Sequence, residues 1–300
     1  MSISIFFAKN WLEADAARQA GAEPIECSFG SDGSVVGSLY MDHHGAYSDL
    51  EGVALRAYRD HFGARKDDPR FVVTGAADAD ACFCIAALAG ILPHPSREAE
   101  LASAPPPVKA SGTRDLTALA DLVNRMDTAP IGIRLEESEE GTLLLLWNQL
   151  ASSAQDETAF HGGVDRWRNL LGRAPKALLA AAKTEEAARV TEARQAQVTK
   201  VSDKVALVES PAWGFDVWYA EQAPIIVAYV ASNGNVTIGC PDVATAEKLL
   251  GPGGLKNVFP KLEPAGWGGR ESIGGSPRGQ KLTREQALAA AQAIAALVIG

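Results

Sequence analysis

The chain has 300 residues, of which 47% are hydrophobic and 22% charged, and its formal net charge is -9. That composition describes a globular protein with enough chain for one large or two ordinary cores. The acidic balance argues against long duplex nucleic acid as a partner, and no apolar run approaches the roughly 20 residues that span a bilayer.

Ile3 to Ala8 reads as a first strand. It lacks the basic leader and cleavage site of a secretory signal, and a reducing cytoplasm is the expected setting for the four cysteines. A second strand is expected over Val35 to Met41, delivering Asp42-His43-His44 to an open edge before the turn at Gly45. Strand alternation would put Asp42 and His44 on one side and His43 on the other. Carboxylate and imidazole together suit Mn²⁺, Fe²⁺ or Zn²⁺ better than an all-oxygen Ca²⁺ cage. The alternative is a loop of solvated histidines. Ser48 to Glu51 has the form of a capping box, opening a helix along Val53, Ala54, Ala57 and Tyr58 that closes at Gly63.

Arg70 to Gly75 repeats the scheme of strand, turn and helix. Asp78 and Asp80 lie at that turn, before a nearly all-apolar helix that ends at Gly90. One acid would cap the helix, and a second exceeds what capping needs. Cys82 and Cys84, in the apolar run, read as buried small hydrophobes because their spacing is too tight for a zinc knuckle. The prolines between Pro93 and Gly112 mark an exposed loop containing His94. Thr113 then caps a helix with Leu116, Leu119, Leu122, Val123 and Met126 on one face. Asp127 falls at its C-terminal end, where the helix dipole disfavours a carboxylate; a bound cation would offset this, and so would Arg125 or Arg134. His161-Gly162-Gly163 reads as a turn between helices.

Helical patterns run from Thr142 to about Val201, the last part exposed and Ala-rich. Short strands are then expected at Val205 to Val208, Phe215 to Tyr219, Ile225 to Ala231 and Val236 to Cys240, with Asn233-Gly234 as a hairpin turn between the last two. Gly266 to Gly279 interleaves Gly268, Gly269, Gly274 and Gly275 with Arg270 and Arg278. Glycine-rich backbone forms anion-binding concavities and Arg recognises phosphate in a bidentate manner, although a tight crossover between strands has the same composition. A capping box at Thr283 to Gln286 starts the last helix. The fold class is α/β: an N-terminal α/β unit with a mainly parallel sheet (residues 1–180), a helical linker (181–204) and a smaller C-terminal α+β unit (205–300).

Asp42-His43-His44, Asp78-x-Asp80 and Asp127-Thr128, with the glycine-rich C-terminal stretch, resemble the DHH family of phosphoesterases. That resemblance implies metal binding by Asp42, His43, His44, Asp78, Asp80 and Asp127, with His43 and His44 also catalytic. It implies two Mn²⁺ or Mg²⁺ ions at most, and substrate contacts from Arg270, Arg278, Gly268, Gly269, Gly274 and Gly275. The expected partner is a small phosphorylated substrate, such as a short oligonucleotide or polyphosphate, with no membrane partner and a homodimer as an admissible assembly. Motif order departs from the family, Thr74 stands where a histidine is usual, and Lys9, Glu13 and Asp15 only approximate its first motif. A relative that binds a phosphate ligand without hydrolysing it is the alternative.

Overall fold

The computed structural model describes residues 3–29, 34–36, 41–44, 47, 49–61, 68–92, 116–128, 135, 138–149, 151, 154–171, 175–211, 213–277 and 279–299, with backbone alone at 34–35 and 175–179. Tyr40, Gly45, Ser48, Gly63, His94, Thr113, Arg134 and Arg278 lie outside the described residues. The architecture is α/β.

The N-terminal half is built on a three-stranded parallel sheet of order β1-β5-β2. Its strands are β1 (Ser4–Phe7), β2 (Glu23–Ile25) and β5 (Arg70–Val73), and α1 (Trp11–Gln19) crosses from β1 to β2. Register pairs Phe7 and Ile25 with the same residue, Val73, so all three strands end level. Such a carboxyl edge is where open α/β sheets place their sites. Between β2 and β5 lie the short hairpin β3 (Ser28–Phe29) and β4 (Ser34–Val35) and helix α2 (Val53–Asp60).

Among the described residues, five further helices follow: α3 (Ala79–Leu88), α4 (Thr117–Thr128), α5 (Glu139–Gln149), α6 (Glu157–Leu171) and α7 (Pro175–Arg194). Helix α3 is apolar on every side and buried from Asp80 to Ala87, as a helix inside a layered core must be. Phe83 meets Trp167 edge-on at 5.3 Å, and Trp167 stacks on Trp147 at 5.5 Å.

The C-terminal half carries a six-stranded sheet of order β10-β11-β9-β8-β7-β6. Its strands are β6 (Gln197–Lys200), β7 (Val205–Glu209), β8 (Ile225–Val230), β9 (Asn235–Gly239), β10 (Gly268–Gly269) and β11 (Ile273–Gly275). Only β7 and β8 run parallel; the other neighbours are antiparallel. Helices α9 (Val243–Leu250) and α10 (Arg284–Leu297) share one hydrophobic cluster with this sheet, and α8 (Phe215–Glu221) shares another with the end of α7.

Several expectations change. Phe215 to Tyr219 is helix, not strand: a five-residue apolar run does not define its period, and here Phe215 and Trp218 bury at helical spacing. The 197–200 segment is an exposed edge strand paired with β7 rather than the end of a helix. Beyond Val35, the expected strand to Met41 does not continue as sheet at the described positions Val36 and Met41. His161-Gly162-Gly163 lies inside α6, where Gly163 lets that helix seat against Cys82 and Trp147. Helix α2 begins at Val53 with Gly52 as N-cap, so the Ser48 capping box does not start it. Strands β7, β8 and β9, the Asn233-Gly234 turn and the Thr283 capping box are as expected. Among the described residues no helix is long and apolar enough to cross a membrane.

Candidate metal centre at the sheet edge

The level ends of the three strands explain the cluster that follows them. Immediately after β2, Glu26 takes a left-handed backbone (φ 51°) and its carboxylate is buried. Its amide donates to the Met41 carbonyl at 2.8 Å, which ties Asp42-His43-His44 to the sheet edge. After β5 come Asp78 and Asp80.

The two acids have separate duties. Asp78 caps its own helix, accepting from the Ala81 amide at 2.9 Å. Asp80, buried, reaches across to the start of α2 and accepts from the amides of Val53 and Ala54 at 2.8 and 3.0 Å. The positive end of that helix stabilises its charge, and this remote carboxylate replaces the local cap expected at Ser48. Gly52 is required by the closeness: a Cβ there would stand 2.7 Å from Asp80 Oδ1. The Gly52 amide donates to Asn124 on α4 at 2.6 Å, one turn before Asp127.

His43 is the point of convergence. Its Nε2 lies 2.8 Å from Glu26 Oε1, 3.1 Å from Asp127 Oδ2 and 3.6 Å from Asp80 Oδ2. None of these approaches makes a hydrogen bond at Nε2. Glu26, His43 and His44 form one group able to hold a cation, and His43, Asp80 and Asp127 form another. Asp42 belongs to neither. Its Oδ1 accepts from His44 N and Nδ1 at 2.8 and 3.0 Å, which puts the His44 ring proton on Nδ1 and the lone pair on Nε2. Carboxylates orient metal-binding imidazoles in this way. Arg56, also buried, holds the Asp42 carbonyl at 2.9 Å.

So much negative charge in one place has a cost. Desolvation, reinforced by Asp80, Glu26 and Asp78 and opposed by His43, holds the Asp127 carboxyl well above the usual carboxylate range. Arg125 does not relieve it; that side chain pairs with Asp121 at 3.0 Å. The donor set of carboxylates and neutral imidazole fits a divalent cation such as Mn²⁺ or Zn²⁺.

The C-terminal half supplies the opposite sign. Gly268-Gly269 and Gly274-Gly275 are the two arms of the β10–β11 hairpin, and Arg270 opens its turn. Gly269 (φ 152°) and Gly274 are needed for packing, since a Cβ on either would strike the facing arm or Phe259. Arg270 Nη2 donates to the Leu50 carbonyl at 2.7 Å and meets His43 Nδ1 at 3.2 Å. A guanidinium only donates, so Nδ1 accepts and the His43 proton sits on Nε2, facing the carboxylates. Lys256 makes a second bridge, to Asp49 at 3.0 Å and Glu271 at 2.8 Å.

The structure therefore brings His43, His44, Asp80, Asp127 and Arg270 together, with Asp42 and Asp78 as supports. Glu26, Arg56 and Asn124 were not singled out from the sequence. Glu26 follows a three-residue strand, Glu23-Pro24-Ile25, that carries no strand pattern in the sequence. Glu13 and Asp15 are engaged locally in α1, with the Lys9 and Asn10 side of the helix start and with Arg18.

Neither a protein-family model nor a curated protein matches the chain. A solved chain described as a DHH domain, from a member of a family of ribosomal proteins, is 15% identical over 61% of this chain and 42% of its own length, with a TM-score of 0.27. A likeness of that size carries no weight for activity, and the functional case rests on the residues above.

Proposed function

We propose that the chain is a metal-dependent phosphoesterase of the DHH kind, acting on a small phosphorylated substrate. The observation that carries this reading is the convergence of Glu26, Asp80 and Asp127 on His43 Nε2 within 3.6 Å. One or two divalent cations, Mn²⁺ or Mg²⁺, would be held by Glu26, His43, His44, Asp80 and Asp127, and when bound would supply charge neutralisation and an activated water. Asp42 keeps the His44 lone pair on Nε2, and Asp80 is fixed by the α2 amides. Arg270, arriving from the other half, is placed to hold a phosphate oxygen.

A second reading is favoured by the Arg270–His43 contact. With Arg270 seated, His43 Nε2 carries a proton and has no lone pair for a cation. A chain that keeps this contact permanently would bind a phosphate ligand without hydrolysing it, and Thr74 in place of the usual histidine agrees with that.

Metal analysis of protein purified without chelator, with Mn²⁺-dependent hydrolysis of a generic aryl phosphodiester, separates the two. Bound metal with turnover lost in Glu26→Gln supports the esterase. Ligand binding without metal or turnover supports the second reading.

A further inference from the structure

A cavity of about 600 Å³ adjoins the cluster, and its lining includes Asp78, Asp80 and Asp127. It is much larger than one phosphate needs and lies in the range that takes a small organic ligand. The lining also includes the apolar Val123, Leu144 and Leu145, together with Glu185, Arg189, Glu192 and Trp213.

Among the described lining residues Arg189 is the one cation, and it is fully engaged. Nε and Nη2 donate to Glu186 at 2.8 and 2.6 Å, Nη1 and Nη2 to Asp216 at 2.9 and 2.8 Å, and Nη1 to the Trp213 carbonyl at 2.8 Å. A guanidinium has five N–H donors, and all five are spent. Among the described residues the lining therefore offers several acids and no unspent guanidinium donor for a second anionic group. What Arg189 does instead is fix the backbone of Trp213. That side chain is 43% exposed, and its ring is tilted against Phe215 at 4.7 Å.

We propose, building on the phosphoesterase reading, that this cavity selects the non-phosphate part of the substrate: it takes a planar apolar group, uncharged or cationic, against Trp213, and rejects a further phosphate or carboxylate. Acidic walls repel a polyanion while leaving a neutral ring unaffected, and an indole face stacks on any planar partner. Of the two substrate classes the sequence left open, this disfavours polyphosphate and favours a phosphate ester whose non-phosphate part carries an aromatic ring, such as the terminal nucleoside of a short oligonucleotide, with no further phosphate inside the cavity.

The test is calorimetric titration of the full-length, Mn²⁺-supplied protein with three probes: inorganic phosphate, phenylphosphonate and phosphonoacetate. Phenylphosphonate is expected to bind about tenfold tighter than phosphate, in the range of stacking contributions, and phosphonoacetate no tighter than phosphate. Trp213→Ala should erase the phenyl preference and leave phosphate affinity unchanged, while Trp213→Phe retains it. Equal binding of phenylphosphonate and phosphate, a preference that survives Trp213→Ala, or tighter binding of phosphonoacetate overturns the inference alone. Failure of inorganic phosphate and both phosphonates to bind metal-loaded protein overturns the phosphoesterase reading and this inference with it.

Discussion

The two halves of the molecule divide the work unevenly. The N-terminal sheet has three strands of three or four residues, yet its edge gathers the histidines and carboxylates of the cluster. The C-terminal sheet has six strands, and among the described residues that half contributes one guanidinium to the cluster, Arg270, from a hairpin turn. Chemistry here sits where backbone regularity ends. Asp78 and Asp80, after β5, are held by helix amides, whereas Arg270 is carried by a hairpin turn.

That contrast can be broken at its strongest point with Asp80. Asp80→Ala leaves the Val53 and Ala54 amides without their acceptor inside the core. Urea unfolding should show a loss of about 3 kcal/mol, from two charge-assisted bonds and a lost cap. A loss below about 1 kcal/mol would mean that α2 starts independently of the cluster.

The contribution of the other half is sharpened by Arg270→Gln. A glutamine carbonyl accepts a proton from His43 Nδ1, which leaves the Nε2 lone pair to a cation. Mn²⁺ affinity, measured by calorimetry, is expected to rise about tenfold, while Arg270→Lys, still a donor, stays near wild type. Lys256→Met, which removes a charge from the same hairpin region without touching His43, controls for simple electrostatics. Unchanged affinity in Arg270→Gln would show that the hairpin does not govern the proton on His43.

The smallest effect belongs to the Lys256 bridge itself. An exposed pair of this kind contributes under about 1 kcal/mol. Its hydrogen bond to Lys256 holds the Glu271 carboxyl below its ordinary 4.5. A carboxyl lowered by folding stabilises the native state above its unfolded value and loses that contribution as pH falls through its folded value. The stability difference between wild type and Lys256→Met should therefore be present near neutral pH and vanish in acid, by urea midpoints at about pH 7 and about pH 3. A difference that persists in acid would assign the bridge to Lys256 packing rather than charge.

Residue type and local position made much of the cluster readable. Asp80 lies at a strand-to-helix turn and Asp127 at the unfavourable end of a helix, and both signals are local; His43 and His44 stood out as residue types, although the strand expected before them does not continue at Val36 and Met41. Glu26 escaped because β2 is three residues long and contains Pro24, which is tolerated on this edge strand but erases the sequence pattern of a strand. The cap of α2 escaped because its acceptor, Asp80, is 27 residues downstream, and no local box reveals a remote carboxylate. In the C-terminal half, Asn233-Gly234 and Thr283 declared themselves through turn and cap chemistry, while the five-residue run at Phe215 was too short to distinguish a period of two from one of 3.6.

Gly163 sets a last condition on the N-terminal core. Any side chain there would collide with Cys82 of α3, one turn along from the helix start that carries Asp78 and Asp80. The position therefore works as a spacer of zero thickness between α6 and α3. Thickening it by one methyl would push α3 at a point two residues from Asp80, the carboxylate that caps α2 and belongs to the candidate metal site.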